Sequence, residues 1–168
     1  INDLAGNEIA GNNTASWKLA ALINSPWPMF HHDIRHTGVG AVRGPVSPYK
    51  KWEYINSVYT DSVAIQNSPV IGADGTIYIG ISAFLFAVDK DGVQKWKFPA
   101  TAGSPYAFFD YSAPAIGFDP ATNKEVIYIG SWGGDGNLYA IDASTGGELW
   151  RFSAGAPIAS SPVIGIDG

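Results

Sequence analysis

The chain has 168 residues, enough to bury one ordinary core, and a formal net charge of −5 with no basic run longer than Lys50-Lys51, which argues against a nucleic-acid partner. It has no cysteine, so disulfides, thiolate metal sites and cysteine nucleophiles are excluded, and it lacks the run of about 18 apolar residues that a membrane span requires. Gly (20) and Pro (11) are abundant while charged residues reach only 15%, the profile of short strands joined by tight turns rather than of helices.

Residues 1–24 show no repeat and only a weak helical pattern at 16–23, and they read as a linker or short docking segment. The Asn/Gly-rich lead from Ile1 suits a processed N-terminus, so export to a periplasmic or extracellular location is expected. Asn12-Asn13-Thr14 matches the glycosylation triplet. Residues 25–51 read as an N-terminal cap. Within it, His31, His32, Asp33 and His36 form the one cluster with metal-ligand character, and His32 and His36 would share a face if the segment were helical. Pro26 and Pro28 before the cluster and Gly38 and Gly40 after it oppose a helix. The expected role is therefore structural, with His32, His36 and Asp33 the candidate ligands if a metal binds.

From residue 52 the sequence repeats itself. Asn67-Ser68-Pro69-Val70-Ile71-Gly72 returns as Ser112-Ala113-Pro114-Ala115-Ile116-Gly117 and as Ser160-Ser161-Pro162-Val163-Ile164-Gly165. Ile77-Tyr78-Ile79-Gly80 returns as Ile127-Tyr128-Ile129-Gly130, and Leu85-Phe86-Ala87-Val88-Asp89 as Leu138-Tyr139-Ala140-Ile141-Asp142. The outermost tryptophans fall at Trp52, Trp96 and Trp150. Each unit reads as four short strands punctuated by Asp74-Gly75, Asp91-Gly92, Asp135-Gly136 and Thr145-Gly146-Gly147, turn signals in which glycine accepts positive φ.

The second strand of each unit is apolar on both faces, so its sheet must be covered on both sides. Radial stacking of four-stranded sheets does this, and a period of about 45 residues falls where such blades are found. The fold class expected is all-β: β-propeller blades of four antiparallel strands in an incomplete propeller, about two full blades plus parts of two others.

The string Ile127-Tyr128-Ile129-Gly130-Ser131, followed by residues 136–152 from Gly136-Asn137-Leu138 to Trp150-Arg151-Phe152, resembles the repeat of pyrroloquinoline-quinone (PQQ) enzymes and of the cofactor-free PQQ-like propellers. The likeness covers roughly 52–168, and residues 25–38 are similar to the segment that often precedes the first blade in exported members. The resemblance implies that Trp52, Trp96 and Trp150 dock between neighbouring blades. For active quinoproteins it would further imply an eight-bladed ring, calcium bridging the quinone and a catalytic Asp, and commonly a vicinal disulfide. The chain has no cysteine, and no carboxylate matches the catalytic one, so the cofactor-free branch and no cofactor are expected.

Chemistry elsewhere is sparse. Gly130-Ser131-Trp132-Gly133 fails the spacing of a hydrolase nucleophile elbow, and Asp135 beside Asn137 is one carboxylate where calcium takes six to eight oxygens. The aromatic residues Tyr106, Phe108, Phe109, Tyr111 and Trp132 lie in connections and form the candidate partner surface. The expected function is a non-enzymatic exported module, a binding platform or scaffold presenting loops to a protein, peptide or glycan partner. The alternatives are the N-terminal part of a PQQ- and calcium-dependent oxidoreductase or, further off, a hydrolase. Because the third repeat stops within its first turn, Gly168 is expected not to be the native terminus, with blades from the same or another chain completing the ring.

Overall fold

The computed structural model describes residues 25–40, 47–55, 65–99, 107–119, 122 and 124–165. The linker, Tyr106 and the final Asp-Gly turn lie outside these. Among the described residues there are two four-stranded antiparallel meanders and no helix. The first comprises β1 (Val70–Ile71), β2 (Ile77–Ile81), β3 (Phe84–Val88) and β4 (Gln94–Phe98). The second comprises β5 (Ala115–Asp119), β6 (Lys124–Gly130), β7 (Asn137–Asp142) and β8 (Glu148–Ser153). The four strands expected in each of the two complete units are observed, in the expected order.

Both sheets carry a bulge at the same place, between Ala87 and Val88 and between Ala140 and Ile141. The bulge sits beside the tryptophan of the outermost strand, opposite which stand Ala87 for Trp96 and Ala140 for Trp150. An extra residue there re-aims the side chain that follows.

The double-sided apolar pattern of β2 has the consequence expected of it. Tyr78 joins a core built from the first sheet (Leu85, Trp96) and from the second (Ile127, Ile129, Ile141). Ile79, on the other face, joins Phe86 and Val88 in a second cluster closed by Trp52 and Tyr54 of the preceding repeat. A third cluster, Met29, Ala115 and Ile164 with Tyr128, lies on the far face of the second sheet.

Trp52 and Trp96 each dock on the turn between the third and fourth strands of the next repeat. Trp52 Nε1 donates to Lys90 O at 2.9 Å, and Trp96 Nε1 donates to Ala143 O at 3.0 Å. Glycine is required beneath both rings: Gly92 and Gly146 have φ of 88° and 73°, and a Cβ on either would come within 3.0 Å and 2.6 Å of the tryptophan. Tyr78 and Tyr128 stack on Trp96 and Trp150 with the same 5.7 Å between centroids.

Trp150 has no such turn above it among the described residues. It is 46% exposed against 9% for Trp96, and every residue of β8 is exposed. Residues 160–165 of the third repeat pass beside the second sheet without forming a strand among the described residues, since a β-strand exists only when a partner satisfies its backbone. The upstream segment pairs with both sheets: Ile71 N donates to Trp27 O and Ile116 N to Pro28 O.

The difference in cover predicts a difference in energy. Trp96→Ala is expected to cost about 3–5 kcal/mol in denaturant unfolding and Trp150→Ala under about 1 kcal/mol. Equal losses would contradict the docking role assigned to Trp96.

Candidate functional site

The apolar connection between the sheets is held from two sides. Phe108 and Trp132 exchange backbone hydrogen bonds, Phe108 N to Trp132 O at 2.8 Å and Trp132 N to Phe108 O at 2.7 Å, and Phe109 N donates to Ser82 O at 2.7 Å. Phe109 is thereby buried against Phe98 and Tyr139. Phe108 is half-buried. Tyr111 and Trp132 face water as a pair, with centroids 5.0 Å apart and rings tilted by 39°. Of the aromatic residues singled out in the sequence, the structure therefore leaves Tyr111 and Trp132 exposed, sends Phe109 to the core and does not describe Tyr106.

Tyr111 also forms one wall of a pocket of about 350 Å³ whose other residues are Phe30, Gln66, Asn67, Ser68, Ala113, Ala159, Ser160 and Ser161. This is where the starts of the three repeats meet. Ser112 Oγ donates to Ser160 O and Ala113 N to Ser161 Oγ, both at 3.0 Å, while Asn67 Nδ2 donates to Phe109 O at 2.7 Å. The repeated Asn/Ser-Ser/Ala-Pro string marks these residues in the sequence. Nothing in it shows that three copies converge, because that depends on how the sheets stack.

The histidine cluster has a different construction. His31, His32 and His36 adopt φ of 59°, 77° and 54°, so the segment is a succession of turns and not a helix. The Asp33 carboxylate accepts from Thr37 Oγ1 at 2.6 Å and from the amides of Arg35 and Thr37. The Thr37 hydroxyl and these amides hold it at about 2. His32 packs edge-on against Trp27, and His31 lies stacked on Phe30 with His36 at its edge. Among the described residues no group of three His, Asp or Glu side chains is placed to hold a metal ion, so His32, His36 and Asp33 are not brought together as a ligand set.

Ser131 is fully buried. Its hydroxyl bonds Asp135 rather than a histidine, and Asp135 also accepts from Tyr139 Oη at 2.6 Å and from Asn137 Nδ2 at 3.3 Å. That carboxylate pins the β6–β7 turn through Ser131, Asn137 and Tyr139, and the Arg151 guanidinium over the Tyr139 ring feels its charge. The neutral pocket does not fit PQQ. Among the described residues lining it there is no cation for the quinone's carboxylates and no carboxylate for a bridging calcium ion.

A second pocket of about 240 Å³ opens in the seam between the sheets, lined by Asp74, Tyr78, Lys95, Lys124, Glu125 and Asp142 among others. Four of its five charges are already paired, Lys95 with Asp74 and Lys124 with Asp142, each at 3.0 Å, and Glu125 is the fifth. The Ser144 hydroxyl, opposed by burial but joined by Lys124 and the turn amides, holds Asp142 well below the usual carboxylate range. Burial and the nearby Asp74 push Glu125 up.

No family model matches the chain. Over 118 residues it is 28% identical to the serine/threonine-protein kinase AfsK of Streptomyces griseus, an alignment covering 68% of this chain and 13% of the kinase. The quinohemoprotein alcohol dehydrogenase of Comamonas testosteroni superposes with a TM-score of 0.53 at 17% identity, over 91% of this chain and 26% of that enzyme. The two sheets are blades of a β-propeller. BamB of Moraxella catarrhalis matches at a TM-score of 0.30 and 19% identity, over 62% of this chain and 43% of that protein. The chain thus spans less than half the length of each of these three proteins. No H-R-D or D-F-G triplet of the protein-kinase signature occurs in it.

Because Asp142 is depressed in the fold, its stabilisation is present above the unfolded carboxylate value of about 3.9 and is lost as pH falls toward the folded value. Asp142→Ala should cost about 2–3 kcal/mol at neutral pH. The gap from the unsubstituted chain should narrow in denaturant titrations at about pH 2. A gap that stays constant would show that Asp142 acts only through packing.

Proposed function

We propose that this chain is part of a non-enzymatic binding or scaffold module, exported to a periplasmic or extracellular compartment, that presents its loops to a partner. The observation that carries the reading is the uncharged pocket where three repeat starts meet, flanked by the exposed Tyr111–Trp132 pair. Sites that recognise ligands without chemistry are concave, partly aromatic and furnished with a few polar groups, and this one is. Catalytic sites instead bring together titratable groups with perturbed protonation. Here the depressed carboxylates Asp33, Asp74 and Asp142 are occupied with turns and ion pairs, and the two that burial raises, Asp110 and Glu125, lie in separate places and not together in one site.

The open face of the second blade receives a further blade, from the same polypeptide or another. Its support is the way Trp52 and Trp96 are covered in the two preceding interfaces. The kinase, dehydrogenase and BamB names belong to much longer proteins, and no activity of theirs is assigned here.

The test is a panel of immobilised peptides and glycans probed with the chain and with a Tyr111→Ala/Trp132→Ala double variant. Saturable binding that the double variant loses is expected. Dye reduction by the chain with added PQQ and calcium, in the absence of any ligand binding, would replace this reading with the oxidoreductase one.

A further inference from the structure

We propose that the pocket between Phe30 and Tyr111 binds an uncharged glycan chain, with Tyr111 and Trp132 as its stacking platform. The inference rests on the binding-module reading and specifies the ligand of that site.

The platform is built rather than incidental. Tyr111 and Trp132 are 40% and 42% exposed, yet the backbone beneath them is fixed by the paired bonds between residues 108 and 132 and by the buried Phe109. The two rings pack against each other at a 39° tilt, and the area each still shows to water is apolar. A pyranose ring suits that area because its C–H face packs on an aromatic ring while its rim of hydroxyls looks for hydrogen bonds.

The adjoining pocket answers the rim. Gln66, Ser68 and Ser160 supply amide and hydroxyl groups, and the Gln66 and Ser68 side chains make no hydrogen bond to other described residues. Among the described residues no Asp, Glu, Lys, Arg or His lines it, so a charged peptide, a phosphate or an anionic glycan gains no ion pair from them. Its volume, about 350 Å³, is that of a small-ligand site. None of its lining residues belongs to a strand, so it offers no sheet edge on which an extended peptide would add its backbone. Neutral hydrogen bonding beside an aromatic face is the combination that separates a sugar from these other partners.

Titration calorimetry of the whole chain against chitohexaose, cellohexaose and maltohexaose, with an array of uncharged glycans alongside, tests this. Saturable binding of at least one glycan is expected. Tyr111→Ala and Trp132→Ala should each weaken it about tenfold or more, whereas Trp132→Phe should retain most of it. Trp150→Ala, an equally exposed tryptophan away from the pocket, should leave it unchanged. Both alanine sites are on the surface, and circular dichroism verifies that each variant is folded. Glycan binding indifferent to both alanine variants, or no glycan binding at all, overturns the proposal. If peptides bind instead and Trp132→Ala abolishes that, the glycan assignment fails while the binding-module reading stands. If neither class binds through Tyr111 and Trp132, both fail.

Discussion

A tryptophan lying on a glycine turn of the neighbouring blade is the contact on which the rest of this structure depends. It needs three things at once: a ring from the outermost strand, a glycine with positive φ that leaves room for it, and a carbonyl that accepts the indole N–H. Trp52 over Gly92 and Trp96 over Gly146 meet all three. Tyr78 strengthens the second instance by stacking on Trp96 and donating to the same Ala143 carbonyl. The ring removes a large apolar area from water while its one polar atom is satisfied, so neither term opposes the other.

The geometry of that contact decides what is left for function. It fastens the blades along their outer strands, while the serine-rich starts of the repeats meet elsewhere and are bridged by short polar bonds such as Ser112 to Ser160. The loop from Ala107 to Ala113 is anchored at Phe109 and turns Tyr111 outward beside Trp132. A stiff frame that positions a few exposed side chains is what a recognition surface requires, since little ordering then remains to be done on binding.

The acidic balance of the chain has a structural outlet in its turns. Asp33, Asp74, Asp89 and Asp142 each accept the amide two residues further on, through Arg35, Thr76, Asp91 and Ser144. This is the turn chemistry for which aspartate is suited, because its short carboxylate reaches its own following backbone. Asp135 pins the β6–β7 connection in a related way through Ser131 and Tyr139. Carboxylates occupied like this have their oxygens already committed to the turns around them.

The local repeats by themselves determined the strands, their order and the double-sided burial of the blades. Ser/Ala-Pro starts, Ile-Tyr-Ile runs and Asp-Gly turns are short-range signals whose physics is complete within a few residues. The roles of individual aromatics were not legible, because Phe109 and Tyr111 are chemically alike in sequence and only the stacking of two sheets buries one and exposes the other. The same holds for a pocket assembled from three segments that are distant along the chain. The histidine run shows the reverse. Its composition offered a metal-ligand set beside the expected structural role, and the left-handed turns stack His31 on Phe30 with His36 at its edge while His32 packs against Trp27. Sequence determines what each short segment can do alone, and tertiary structure decides which of those segments share a surface, because burial and convergence are properties of pairs of sheets and not of strands.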